Sequence, residues 1–94
     1  MYLVSYDITP NRLRNKVAKT LEGFGKRVQY SVFECDLTEK RYEELYEKLL
    51  KFSAGMGDGS ICFYYICKNC EGKKRVIGVP KEMDRFLQDE VIVV

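Results

Sequence analysis

A strand, a helix and a second strand follow one another within residues 2 to 35, and that order constrains the fold more than any other feature of the chain. The apolar run Leu3-Val4-Ser5-Tyr6 ends on one carboxylate, Asp7. Thr9 suits a helix N-cap and Pro10 the first helical position. Leu13, Val17, Leu21 and Phe24 then recur at helical spacing. Gly23 and Gly25 stop that helix near residue 23. Residues 27 to 35, RVQYSVFEC, alternate, with Val28, Tyr30 and Val32 on one face and Gln29, Ser31 and Phe33 on the other. This predicts a single second strand.

The stretch LTEKRYEELYEKLLKF predicts another helix, with Tyr42, Leu45, Leu49 and Phe52 as its apolar stripe and Tyr46 beside it. SAGMGDGS, residues 53 to 60, is a turn cluster. Its GMGDG lacks the Gly-Lys-Ser/Thr ending of a phosphate loop and precedes a strand. ICFYYIC, residues 61 to 67, is apolar throughout and predicts a central strand covered on both faces. KNCEGKK reads as a loop, and RVIGV, residues 75 to 79, as a fourth strand stopped by Pro80. A linker follows, and then the apolar Val91-Ile92-Val93-Val94. Read in order these elements are β-α-β-α-β-β with a tail, which does not by itself settle the layout; the economical solution is an α+β, ferredoxin-like β-α-β-β-α-β fold, with the strands split differently, and an extra C-terminal strand. It has one antiparallel sheet and two helices on one face. The whole chain, 1 to 94, is one domain. The tail, residues 84 to 94, must be covered, by its own sheet or by a partner's edge. Pairing with the partner subunit is favoured, because helices on one face leave the other needing cover; that gives a two-fold homodimer.

The formal net charge is only +2, so the total does not argue for nucleic acid, but its distribution does. Arg12, Lys16 and Lys19 form a stripe on the first helix, Arg14, Lys26 and Arg27 lie near it in sequence, and no acid interrupts residues 8 to 21. A solvated helix face is the plain reading; a local phosphate-binding surface is the sharper one. No apolar run is long enough to span a membrane and no leader opens the chain, so a cytoplasmic location is expected. The four cysteines, Cys35, Cys62, Cys67 and Cys70, include one C-x-x-C pair. With no histidine in the chain, zinc would need all the remaining ligands from cysteine or carboxylate. Reduced thiols or one stabilising disulfide are the better expectation.

Asp7 has a plain role as a turn or helix-entry cap and a sharper one as a metal ligand. One aspartate holds Mg²⁺ poorly, but two copies meeting near a dimer axis would supply two carboxylates. Tyr30, Phe33, Phe63, Tyr64 and Tyr65 could stack on bases, but core or dimer packing is the weightier reading.

Tyr6-Asp7-Ile8, the following NRLRNKVAKTLEGFGKRVQYSVFEC and the apolar tail resemble the small CRISPR-associated endonuclease family, the ferredoxin-fold partner of the CRISPR integrase in spacer acquisition. The resemblance implies a symmetric dimer whose end strand extends the partner's sheet. It implies that Asp7 binds a divalent metal, usually Mg²⁺. It implies cleavage of single-stranded RNA or double-stranded DNA, and a scaffold role with the integrase. It places Arg14, Arg27, Ser31 and Phe33 with Asp7 in the catalytic region; the basic stripe adds Arg12, Lys16 and Lys19 to Arg14 and Arg27 as the residues expected on nucleic acid. Lys16 stands where an arginine is common, which keeps charge but not bidentate geometry. The alternative is a non-catalytic duplex-DNA scaffold in which Asp7 is structural.

Overall fold

The computed structural model describes residues 1–78. Strand β1 (Tyr2–Asp7) leads to helix α1 (Asn11–Glu22), then β2 (Lys26–Gln29), β3 (Val32–Cys35), α2 (Glu39–Leu50), β4 (Ser60–Tyr65) and a helical turn, α3 (Lys68–Glu71). The strands form one sheet in the order β2-β3-β1-β4. Every neighbouring pair is antiparallel. This is the ferredoxin-like arrangement, with β1 in the centre because two helix-containing connections return strands to either side of it.

Register decides what faces inward. Val4 lies opposite Phe33 on β3 and Phe63 on β4. Val4, Tyr6, Phe33 and Cys35 pack with Val17 and Leu21 of α1 and Leu45 and Leu49 of α2 in one core. Both predicted apolar stripes therefore serve the same sheet face. Tyrosines extend this layer toward β4: Tyr2 stacks on Tyr42 with ring centroids 3.9 Å apart, and Tyr42 and Tyr46 both meet Phe63. Alternation puts Leu3, Ser5 and Asp7 toward the other face.

The first helix begins one residue later than the sequence predicts. Pro10 takes the cap position with extended backbone, in place of Thr9, and its carbonyl accepts from the Arg14 amide at 2.9 Å. Gly23 ends the helix as expected. Gly25 has a second role. A Cβ there would lie 2.9 Å from Cys35 Cα and would also collide with the Glu34 carbonyl, so only glycine lets the chain pass this close to β3.

Four expectations are corrected. Residues 27 to 35 are a hairpin of two strands, turning at Tyr30-Ser31, with a register irregularity between Arg27 and Gln29. The alternating pattern continues through the turn, and no Gly, Pro or Asn marks it. The 61 to 67 segment is not central: β4 pairs with β1 alone among the described residues, and Tyr64 and Tyr65 are exposed. The KNCEGKK loop contains α3. Residues 75 to 78 of the predicted RVIGV strand are not in a strand. Residue 79 and the whole 84–94 tail, with its proposed pairing, lie outside the described residues. No helix among the described residues is long and apolar enough to cross a membrane.

Candidate functional site

Asp7 is the last residue of β1, opposite Ser60 on β4, and its side chain is exposed. Among the described residues it makes no hydrogen bond or ion pair. The next residue, Ile8, turns into the core at 3% exposure, so the carboxylate is carried on a chain anchored directly behind it.

Arg14 sets the shape of that exit. Its Nη1 donates to the carbonyls of Ile8 and Thr9, both at 3.1 Å, and its Nη2 donates to Asn11 Oδ1. Charge-assisted bonds of this kind fix a loop more firmly than neutral ones. The guanidinium is therefore committed largely to the β1–α1 connection. Its carbon also sits 5.9 Å from the centroid of the Tyr30 ring.

Tyr30 and Ser31, the β2–β3 turn, form the opposite rim. The Tyr6 amide donates to the Ser31 carbonyl at 3.0 Å, and the Tyr6 hydroxyl to the Tyr30 carbonyl at 3.4 Å. One tyrosine side chain and backbone thus hold the turn beside the carboxylate. Between the rims lies an open cleft of about 330 Å³, lined by Asp7, Thr9, Arg14, Tyr30 and Ser31 with Tyr6 and Ile8 behind. Tyr30 is 58% exposed on this chain, so it is not part of the core.

Arg27 and Phe33 stand deeper. Phe33 is fully buried, and Arg27 covers its ring at 5.2 Å. The Arg27 Nε is buried without a hydrogen-bond partner. Burial pushes the Tyr6 hydroxyl above the ordinary tyrosine range, and the Arg27 charge pulls it part of the way back. Both residues border Tyr6, Phe33 through a ring contact with centroids 6.3 Å apart and Arg27 through its charge. Arg12, Lys16 and Lys19 are exposed along α1.

A sequence model of the family described as CRISPR associated protein Cas2 matches residues 1–74. The chain belongs to this family. It is 42% identical over 77 residues to the CRISPR-associated endoribonuclease Cas2 1 of Chloroflexus aurantiacus, covering 82% of this chain and 83% of that one. Among solved structures, Streptococcus pyogenes Cas2 superposes with a TM-score of 0.70 at 32% identity, covering 82% of this chain and 98% of that one. A chain of a partial Cas6-RT-Cas1--Cas2 complex superposes with a TM-score of 0.69 at 30% identity, over 79% of this chain and 86% of that one.

Against this Cas2 background the predicted residues divide. Asp7, Arg14 and Ser31 converge on one cleft, Arg27 and Phe33 lie beneath it, and the remaining cations lie on the outer helix face. Sequence reasoning missed the position of Tyr30; the turn placed it there, and the turn has no residue signature. As for metals, no group of three or more His, Cys, Asp or Glu side chains among the described residues is arranged to hold an ion. Asp7 offers one hard oxygen donor group. That fits Mg²⁺, which keeps several waters and takes one or two carboxylates with substrate phosphate oxygens, and it does not fit a closed protein cage.

Proposed function

We propose that the protein is a CRISPR adaptation nuclease that works as a symmetric dimer, hydrolysing phosphodiester bonds in RNA or duplex DNA with a divalent cation, Mg²⁺ above all. The single observation that carries this reading is the unpartnered, exposed Asp7 carboxylate at a cleft whose other rim is an exposed aromatic ring. Asp7 would hold the cation, with its counterpart from the second protomer. A bound divalent ion there supplies Lewis acidity toward a phosphoryl oxygen and a more acidic water. The chain's own contribution is placement. Arg14 fixes the two carbonyls after Asp7, Tyr6 fixes the opposite turn, and Ile8 anchors the backbone between them. The endoribonuclease name of the Chloroflexus relative supports RNA as a substrate. The test is cleavage of labelled single-stranded RNA and duplex DNA with Mg²⁺ or with chelator. Cutting that stops on chelation and returns with added Mg²⁺ is the expected result, and cutting that persists in chelator would overturn it.

A second reading, a duplex-DNA scaffold for the CRISPR integrase, draws on a different observation. Arg12, Lys16 and Lys19 are exposed on one helix with no acidic residue in its first turn. The solved complex of Cas1 with Cas2, one chain of which superposes on this protein, supports such a partner. The two roles can coexist on one dimer, because the basic helix face and the cleft are separate surfaces.

Tyr30 then gives a prediction about strand state. A base stacked on an aromatic ring contributes about 1–3 kcal/mol, and the bases of a duplex are already stacked. Tyr30→Ala is expected to weaken binding of a short single strand about tenfold or more and to leave duplex affinity nearly unchanged. Fluorescence anisotropy with chelator present reads binding without cleavage.

A further inference from the structure

We propose that Cys67 and Cys70 form a redox-active dithiol that closes to an intramolecular disulfide by exchange with a low-molecular-weight disulfide, with Cys67 as the attacking sulfur. The nuclease reading uses neither residue, and both are exposed.

The arrangement is already close to the product. Cys67 takes the cap position of α3 with extended backbone, φ −68° and ψ 161°, and Cys70 lies in the turn three residues on. Side chains at this spacing lie about 5–6 Å apart at Cβ, and a disulfide needs about 3.5–4.5 Å, so closure takes a small tightening of one turn. That turn is held on both sides. The Glu71 amide donates to the Cys67 carbonyl at 3.0 Å, and the Ile66 amide to the Met1 carbonyl at 2.7 Å. The Glu71 carboxylate accepts from the Met1 ammonium at 3.2 Å.

The two sulfurs are also unequal. The Cys70 amide and then its thiol stabilise the Cys67 thiolate and hold that thiol below its ordinary range, and the same pairing pushes Cys70 up. Chemically, this gives an attacking sulfur and a resolving one. The other two cysteines make internal references. Burial pushes the Cys35 thiol up to about 11, which keeps it protonated and inert, and Cys62 is half-buried on β4. A structural zinc is a poor competitor, because no third donor joins the pair among the described residues.

The exchange balances. The Cys67 thiolate attacks one sulfur of the small disulfide, its S–S bond breaks, and one thiolate leaves and takes up a proton. Cys70 then loses its proton and attacks Cys67 Sγ, breaking the mixed disulfide and expelling the second small thiol. The protein's two sulfurs are oxidised and the reagent is reduced to two thiols. The product locks α3, which directs the chain from the β4 edge toward the Lys74–Glu34 ion pair on the open face of the sheet.

The test uses the full chain, reduced and then treated with glutathione disulfide, quenched in acid and mapped by mass spectrometry. Wild type is expected to lose two hydrogens and to show a Cys67–Cys70 link. Cys70→Ser is expected to accumulate a glutathione adduct on Cys67. Cys67→Ser is expected to form no link and to consume the reagent more slowly by a factor of about ten or more. Far-UV circular dichroism of each variant checks that the fold is unchanged. Adducts appearing on Cys62 as fast as on Cys67, a mixed disulfide that persists in wild type, or disulfides between chains would each overturn the proposal.

Discussion

Replacing Asp7 by asparagine is expected to lower cation-dependent cleavage by about 10²- to 10³-fold, on the order of 3–4 kcal/mol on the barrier. Asparagine keeps the shape and removes the charge. Asp7 is exposed and has no partner among the described residues, so the fold loses nothing that it holds. Stability should change by less than about 0.5 kcal/mol, as surface substitutions do. Binding of single strands in chelator should be unaffected, because Tyr30 stays in place. Purified wild type and variant compared on one substrate, with melting curves alongside, make the check. Equal cutting by both would remove Asp7 from the chemistry and point to a contaminating nuclease, and no cutting by either would leave the scaffold reading in possession.

The largest effect on stability should come from a residue that touches no substrate. Gly25→Ala is expected to destabilise the protein by about 2–4 kcal/mol, with Tm lower by more than about 10 °C. The added methyl would meet Cys35 Cα at 2.9 Å and the Glu34 carbonyl, which are backbone atoms of β3 and cannot rotate aside. Relief requires moving β2 from β3, and that hairpin carries Tyr30 and Ser31. A loss of cleavage would accompany the loss of stability. A Tm within about 2 °C of wild type would show that the close approach is relaxed in solution.

Both predictions bear on what could be read from residues alone. The first strand, its terminal aspartate and the two helical stripes were legible, because burial on one face imposes a period that survives in the sequence. Gly25 was legible only as a helix stop; the second constraint on it comes from a strand ten residues away. The hairpin was hidden because Tyr30 and Ser31 continue the alternation of their neighbours. The edge position of β4 among the described residues was hidden because tyrosine suits both a core and a wet surface, so ICFYYIC resembles a strand covered on both faces. Arg14 was expected on phosphate; its bonds to two carbonyls depend on where the chain turns after Asp7, which spacing does not encode.

The central position of β1 has a kinetic consequence. Its pairing with β3 joins Tyr2 to Cys35, but its pairing with β4 joins Tyr2 to Tyr65 and Asp7 to Ser60. Loop-closure entropy grows with the chain enclosed, so the β4 pairing is the more demanding of the two. During synthesis the ribosome releases α1 and the β2–β3 hairpin well before β4 has emerged. The nascent chain therefore carries the carboxylate and its opposing tyrosine while one edge of β1 is still bare. The backbone of Asp7 gains its β4 neighbour only when Ser60 arrives, so the end of β1 that borders the cleft becomes rigid as one of the last folding events.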